Sequence, residues 1–293
     1  MHPGLCLILL LLAWGGNAAY AFGPIGGEIK FWAPLPVAIG MIGFVIWHGL
    51  KTLGPKGLLR FLGIVFFVGW SFETISVVTG IPFGTYHYTA AMAPFIGHVP
   101  VFVLPAYALM GYLSWRMAVL VYRGIAQPAL SPGRCAMLAA GLMVIWDLSM
   151  DPLRATIEAR WIWQHGGYYF GVPFSNYVGW FVVTFVMFRW FGRDAGANGQ
   201  KTHQSGDMFV PMFYLSFAVE YLLNPLTGQG VGQTAFSGGG AWSVQQLYLA
   251  IAIIAGVTMV PIGGMVFCLL RWPRETRNLL ARYAAIPRPG VRE

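Results

Sequence analysis

The chain has 293 residues, 57% of them hydrophobic and only 10% charged, with a mean hydropathy of +0.63. A soluble domain carries about 25% charged residues, so a soluble globular protein is excluded and an integral membrane protein is indicated. The net charge of +8 would point to nucleic acid in a soluble chain. Here the basic residues lie between apolar stretches and in the C-terminal tail, so they report orientation in a membrane instead.

A spanning helix needs about 20 mostly apolar residues. Such stretches occur near 4–22, 31–50, 59–80, 99–122, 134–152, 175–193, 208–225 and 242–270. The predicted fold is therefore an all-α polytopic bundle of seven or eight transmembrane helices. Residues 1–22 form an N-terminal span or a signal-like segment, 23–270 a membrane-embedded catalytic domain, and 271–293 a basic tail. In the first segment, residues 19–21 (AYA) look like a signal-peptidase site, yet no Lys or Arg precedes the apolar run. A retained span and a cleaved signal both remain open, and either leaves the other seven spans unchanged. Cys6, Cys135 and Cys268 show no metal or redox spacing.

The third span carries Glu73 about two turns before its end. The connection that follows, 80–89 (GIPFGTYHYT) and on to Pro100, is apolar and aromatic. It reads as a re-entrant or interfacial segment, since irregular backbone at membrane depth survives only when buried or lining a cavity. The fifth span ends in 144–152 (VIWDLSMDP), where the four-residue spacing puts Asp147 and Asp151 on one helical face. A second aromatic, Gly-rich connection follows at 161–176 (WIWQHGGYYFGVPFSN). Trp161, Trp163 and Tyr169 are read equally well as an interfacial belt. The seventh span carries Glu220, with Asn224 one turn further on the same face. Stretches 195–207 and 228–240 read as flexible loops, and the tail as a solvated basic segment against anionic lipid.

Fifteen of the eighteen Lys and Arg residues fall in the connections on one side and in the tail; only Lys30, Arg154 and Arg160 fall on the other. The positive-inside rule then gives a cytoplasmic C-terminus in the inner (plasma) membrane. All four intramembrane acids lie in the outer half. A charge in hydrocarbon costs about 2.5–3.5 kcal/mol by insertion measurements and usually marks function, although an interhelical hydrogen bond worth about 0.6 kcal/mol is the bland alternative. Tyr86, His87, Tyr88 and Asn176 place aromatic and amide groups near these acids and read as pocket residues. His48, Arg116 and Arg189, at span ends, are expected to snorkel.

Three stretches taken together resemble the CruF-type carotenoid hydratases of bacteria and haloarchaea. They are Glu73 with 79–89 (TGIPFGTYHYT); Val99 and Pro100 with 103–105 (VLP); and Asp147 through Asp151 and Pro152, then Trp161, Trp163, 167–173 (GYYFGVP) and 176–180 (NYVGW). The resemblance covers roughly 60–225. Met92 and Ala93 depart from the expected Leu-Gly before Pro94, and Ala106 stands where Trp is expected. The resemblance implies a hydro-lyase that adds water across the terminal 1,2 double bond of an acyclic ψ end group, with no metal and no other cofactor. Its partners are a carotenoid drawn from the bilayer and other enzymes of carotenoid biosynthesis, not nucleic acid.

The residues fit that chemistry. Protonating the alkene needs a strong acid, and a carboxylic acid kept protonated by burial can serve. A second, ionised carboxylate can hold water, and aromatic faces can stabilise the cation. Asp147 or Asp151 is the expected donor and Glu73 the water-holding partner. Tyr86, His87, Tyr88, Asn176, Trp163 and Glu220 are expected to bind substrate. Two close carboxyls cannot both ionise cheaply in a low-dielectric pocket, so Glu73 should approach an aspartate, and His87 and Asn176 should face the same cavity. Two rivals are a carotenoid end-group cyclase, whose product gains no mass, and a proton-coupled transporter. The latter needs acids continuing to the inner face, where spans three, five and seven carry none.

Cysteines placed at Thr85 and Ser237 should react with an impermeant thiol reagent applied to the outer side, and one at Ser205 should not. Labelling at Ser205 in intact cells would invert the topology.

Overall fold

The computed structural model describes residues 3–24, 27–124, 131–195 and 204–272. It is an all-α bundle of α1 (Pro3–Phe22), α2 (Glu28–Trp32), α3 (Pro34–Thr52), α4 (Gly54–Thr79), α5 (Val103–Gly124), α6 (Pro132–Asp151), α7 (Phe174–Ala195), α8 (Gln204–Asp207), α9 (Phe209–Tyr214), α10 (Ser216–Leu223), α11 (Val244–Val257) and α12 (Met259–Arg271). Among the described residues, seven helical segments are long and apolar enough to cross a membrane: Gly4–Phe22, Glu28–Thr52, Gly54–Thr79, Val103–Gly124, Pro132–Ile157, Phe209–Thr227 and Val244–Arg271. The stretch expected as an eighth span is also a helix, the 22-residue α7, but it is less apolar. The expected flexible loop at 195–207 lies largely outside the described residues, as does the basic tail beyond Trp272.

Helices α5 and α6 form the centre. Trp115, Tyr112, Met117, Cys135, Ala139 and Met143 are fully buried. The outer helices show Leu11, Ile46, Leu59, Leu249 and Ile253 on their exposed faces, the surface a bilayer requires. Helix α1 packs tightly on α3. A Cβ on Gly40 would sit 2.4 Å from the Leu9 carbonyl oxygen, and one on Gly16 would sit 2.6 Å from Val37. Small residues at such crossings let two backbones approach closely, as is usual between membrane helices.

Among the described residues, six short strands make three two-stranded antiparallel ribbons. Strand β1 (Tyr86–Tyr88) pairs with β4 (Trp161–Trp163), with Tyr86 opposite Trp163 and Tyr88 opposite Trp161. Thus the two aromatic connections hydrogen-bond to each other across more than seventy residues. Strands β2 (Phe95–Ile96) and β3 (Val99–Pro100) form a second ribbon, and β5 (Thr234–Ser237) and β6 (Gly240–Ser243) a third.

The expectation that His48 and Arg116 snorkel is corrected. Both are fully buried. His48 Nδ1 hydrogen-bonds the Tyr112 hydroxyl at 2.7 Å, and its Nε2 meets Asp207 Oδ1 at 3.0 Å. Arg116 Nη2 donates to the same Asp207 oxygen at 2.9 Å. The chain before α9 turns inward and supplies an anion, so the guanidinium finds a partner inside rather than at the interface. Arg189 is half-buried near the end of α7. Asp207 is thus a further buried acid beyond the four read in the outer half, and it sits at the end of the bundle opposite Glu73.

Gly40→Val should overpack the α1–α3 crossing and cost about 1–3 kcal/mol, read as a lower melting temperature in detergent. Gly15→Val on α1, where a Cβ meets nothing within 4 Å, should leave the melting temperature unchanged.

Candidate active site

Helix α4 ends at Gly80, whose left-handed conformation (φ 79°) closes the last turn with an N–H donated to the Ser76 carbonyl at 2.7 Å. The chain then doubles back, so β1 lies over the end of the helix that carries Glu73. Successive strand residues point to opposite faces. Tyr86 and Tyr88 therefore face inward, while His87 is exposed. Both tyrosine hydroxyls donate to Glu73 Oε2, Tyr88 at 2.8 Å, and Tyr107 from α5 donates to Oε1 at 2.7 Å. Three phenolic O–H groups thus converge on one buried carboxyl. A carboxylate offers about four acceptor positions, so one is left on Oε1.

Helix α6 carries the second acidic group. Asp147 and Asp151 lie on one face and are both buried. Asn176, at the start of α7, donates from Nδ2 to Oδ2 of Asp147 at 3.0 Å and to Oδ2 of Asp151. Asn176 Nδ2 thus bridges the two carboxyls. Asp147 Oδ1 is buried and receives no hydrogen bond among the described residues.

Local backbone chemistry holds this end in place. Pro152 has no N–H to give to the carbonyl of Leu148 four residues back. The Tyr169 hydroxyl donates to that carbonyl instead, at 2.8 Å. The helix continues from Pro152 to Ile157 as a π-helical turn, a form frequent at functional sites. Tyr169 thereby ties the second aromatic connection to the helix of the paired aspartates.

A cavity of about 150 Å³ lies between these groups, with Glu73, Tyr86, Tyr88, Tyr107, Asp151 and Asn176 in its wall. Phe83, Trp146, Trp161, Trp163 and Trp180 complete an aromatic enclosure. Glu73 and Asp151 thus face one space, and Asp147 lies behind Asp151. The geometry corrects the placement of two expected pocket residues. His87 points away, because the strand's alternation that turns Tyr86 and Tyr88 inward turns it out. Glu220 lies outside this cavity and bonds Arg154 Nη2 at 2.6 Å.

That arginine belongs to a charged cluster at the cavity rim. Arg154 Nη1 reaches Glu158 Oε1 at 2.8 Å, and Arg160 Nε reaches Glu158 Oε2 at 2.8 Å. Lys30 lies 3.8 Å from Glu158, and the Tyr20 hydroxyl donates to Glu158 at 2.8 Å. The three cations that the sequence places on the outer side thus gather around one carboxylate. Tyr107, Arg154 and Glu158 are site residues that the sequence reading missed. For the last two, the i,i+4 spacing of Arg154 and Glu158 was the available signal. Tyr107 sits on a buried apolar helix and carries none.

The family described as carotenoid biosynthesis protein matches residues 34–233. A bisanhydrobacterioruberin hydratase from Haloarcula japonica is 32% identical over 112 residues, which is 38% of this chain and 36% of that protein. The chain therefore aligns with little more than a third of that relative's length. No solved structure matches.

Burial alone would raise the Glu158 carboxyl, but Arg154, Arg160 and Lys30 outweigh it and hold it below the usual glutamate range. A folded value below the unfolded one stabilises the protein above the unfolded value, near about 4.3. That stability is lost as pH falls through the folded value. Glu158→Gln should therefore lower the melting temperature at neutral pH, by about 3–5 kcal/mol of stability, and should flatten the acid limb of the stability curve.

Proposed function

The chain belongs to the carotenoid biosynthesis protein family, and from that premise we propose that it is a carotenoid 1,2-hydratase. It adds water across the terminal double bond of an acyclic ψ end group. The observation that carries this reading is one aromatic cavity faced by two carboxyls in unlike settings. Asp151 is bridged to Asp147 by Asn176, and Glu73 is held by three tyrosine hydroxyls. Environments that push two carboxyls apart are the recurring way to split acid and base roles.

In this mechanism the proton shared by the aspartate pair moves from Asp151 to C2 of the alkene. The C1–C2 π bond supplies the electron pair for the new C–H bond, and a tertiary cation forms at C1. Trp163, Trp161 and Trp180 line the cavity in which that cation forms, and an aromatic ring beside a cation is favourable in a desolvated site. A water on the open acceptor position of Glu73 Oε1 attacks C1 and gives its proton to Glu73. That proton returns through the cavity to the aspartate pair, so the net change is the addition of one water. No electrons leave the substrate, and the reaction needs no redox partner. Asp147 acts behind Asp151 as the second member of the pair.

Glu73 is the water-holding carboxylate because its bonded hydroxyls all donate to it. Asp151 is the acid because it faces the cavity and Asp147 does not. Tyr86, Tyr88, Asn176 and Trp163 shape the cavity. Glu220 contributes to substrate binding through Arg154 and the neighbouring space. The protein acts from the plasma membrane with a cytoplasmic C-terminus and takes its substrate from lipid. A cyclase would begin with the same protonation, but the acceptor position on Glu73 favours water capture. A transmembrane proton relay finds little support. Between the two polar ends Phe44, Phe61 and Phe213 are fully buried, and Phe44 stacks on Phe213 at 4.1 Å.

Expression in a lycopene-producing host should yield pigment heavier by one water per reacted end. Asp151→Asn and Glu73→Gln should each lower that product by about 10²–10⁴-fold, the usual worth of a general acid or base. Full hydration by both Asp147→Asn and Asp151→Asn would remove the acid assignment. Product of unchanged mass with a cyclised end would instead identify a cyclase.

A further inference from the structure

The acid-lined cavity, at about 150 Å³, can take an end group but not a long conjugated chain; pockets for drug-sized ligands run about 300–1,000 Å³. A second cavity of about 510 Å³ adjoins it. The two share a wall of Phe102, Ala106, Trp146 and Met150, with Arg154 and Arg160 at the rim. The second cavity is lined by one face of α3 (Val37, Ala38, Met41 and Ile42) and, across from it, by Pro105 and Leu109 of α5. Its wall includes residues on the lipid-facing surface: Ile42 is 42% exposed and Phe102 63%. At the other end of the bundle α3 and α5 are joined by the His48–Tyr112 hydrogen bond at 2.7 Å. The space between them therefore belongs to the half that holds the acids.

We propose that this second cavity is the channel for the conjugated chain of the substrate. The polyene enters sideways from the bilayer between α3 and α5. Its reacting end passes Phe102 and Ala106 into the acid-lined cavity, and the rest of the chain lies against Ala38, Met41 and Leu109. The assignment rests on the hydratase reading for the identity of the ligand, and on cavity continuity for its path. One consequence is that a substrate with two reactive ends is hydrated one end at a time, leaving and re-entering reversed.

The test uses the full chain purified from a lycopene-producing host, with polyene absorbance measured per protein and pigments weighed. Ala38→Trp fills the second cavity without touching the acid-lined one and should lower bound polyene and hydrated product by about tenfold or more. Ile39→Trp, on the neighbouring exposed face, should leave both unchanged. Should Ala38→Trp not reach the membrane, Ala38→Cys decides. The thiol at position 38 should be alkylated several-fold more slowly in membranes containing the polyene than in membranes without it. Equal alkylation rates, or full polyene content and conversion by Ala38→Trp, would overturn the channel and leave the hydratase reading intact. Bound polyene that Ala38→Trp removes, with no hydrated product from the unsubstituted chain, would uphold the channel and refute the hydratase reading. An unsubstituted chain that carries no polyene, with no protection at position 38, would overturn the channel.

Discussion

A carboxyl group buried in a membrane bundle must be satisfied without water, and Glu73 is satisfied without a cation. Its partners are three tyrosine hydroxyls brought from two separate elements, β1 and α5. Leaving a buried charge without partners costs several kcal/mol, so this demand constrains much of the surrounding structure. The chain must reverse immediately after α4, the reversal must run as a strand so that alternate residues turn inward, and α5 must present Tyr107 at the same depth. Strand β1 in turn needs a hydrogen-bonding partner, and β4 supplies it. That pairing brings Trp161 and Trp163 over the cavity and draws the end of α6, with its aspartates, beside Glu73.

The remaining polar groups are sorted by the same economy of desolvation. Lys30, Arg154 and Arg160 surround Glu158 at the cavity rim, and Arg116 and His48 share Asp207 at the far end. Between them the interior is aromatic and aliphatic. Two carboxyls face the acid-lined cavity, and the guanidinium groups of Arg154 and Arg160 reach its wall from the rim, where Glu158 holds them. An apolar cavity between α3 and α5 meets this polar site along a single wall. That arrangement suits a ligand that is hydrocarbon along its length and reactive at its tip.

Much of this was legible in the residues. The intramembrane acids, the four-residue spacing of Asp147 and Asp151, and the aromatic character of both connections pointed to residues that come together at the candidate site. Other features were not. His87 was grouped with its neighbours because adjacency in sequence looks like adjacency in space, and the strand's alternation turned it outward. Arg116 and His48 were read as interfacial because their partner, Asp207, sat in a stretch that reads as loop. Tyr107 lay unmarked within a buried apolar helix.

Local composition by itself determined that the chain is a membrane bundle, how its main helices divide, and which acids are out of place in hydrocarbon. Those properties follow from the cost of desolvation, which each segment incurs wherever its neighbours lie. Only the tertiary structure decided which acid faces the cavity and which lies behind it, that β1 and β4 pair, that three tyrosines meet at Glu73, and where the apolar cavity opens. These depend on the relative placement of segments far apart in the chain. A hydrogen bond or a cavity wall is set by that placement, and no window of sequence contains it.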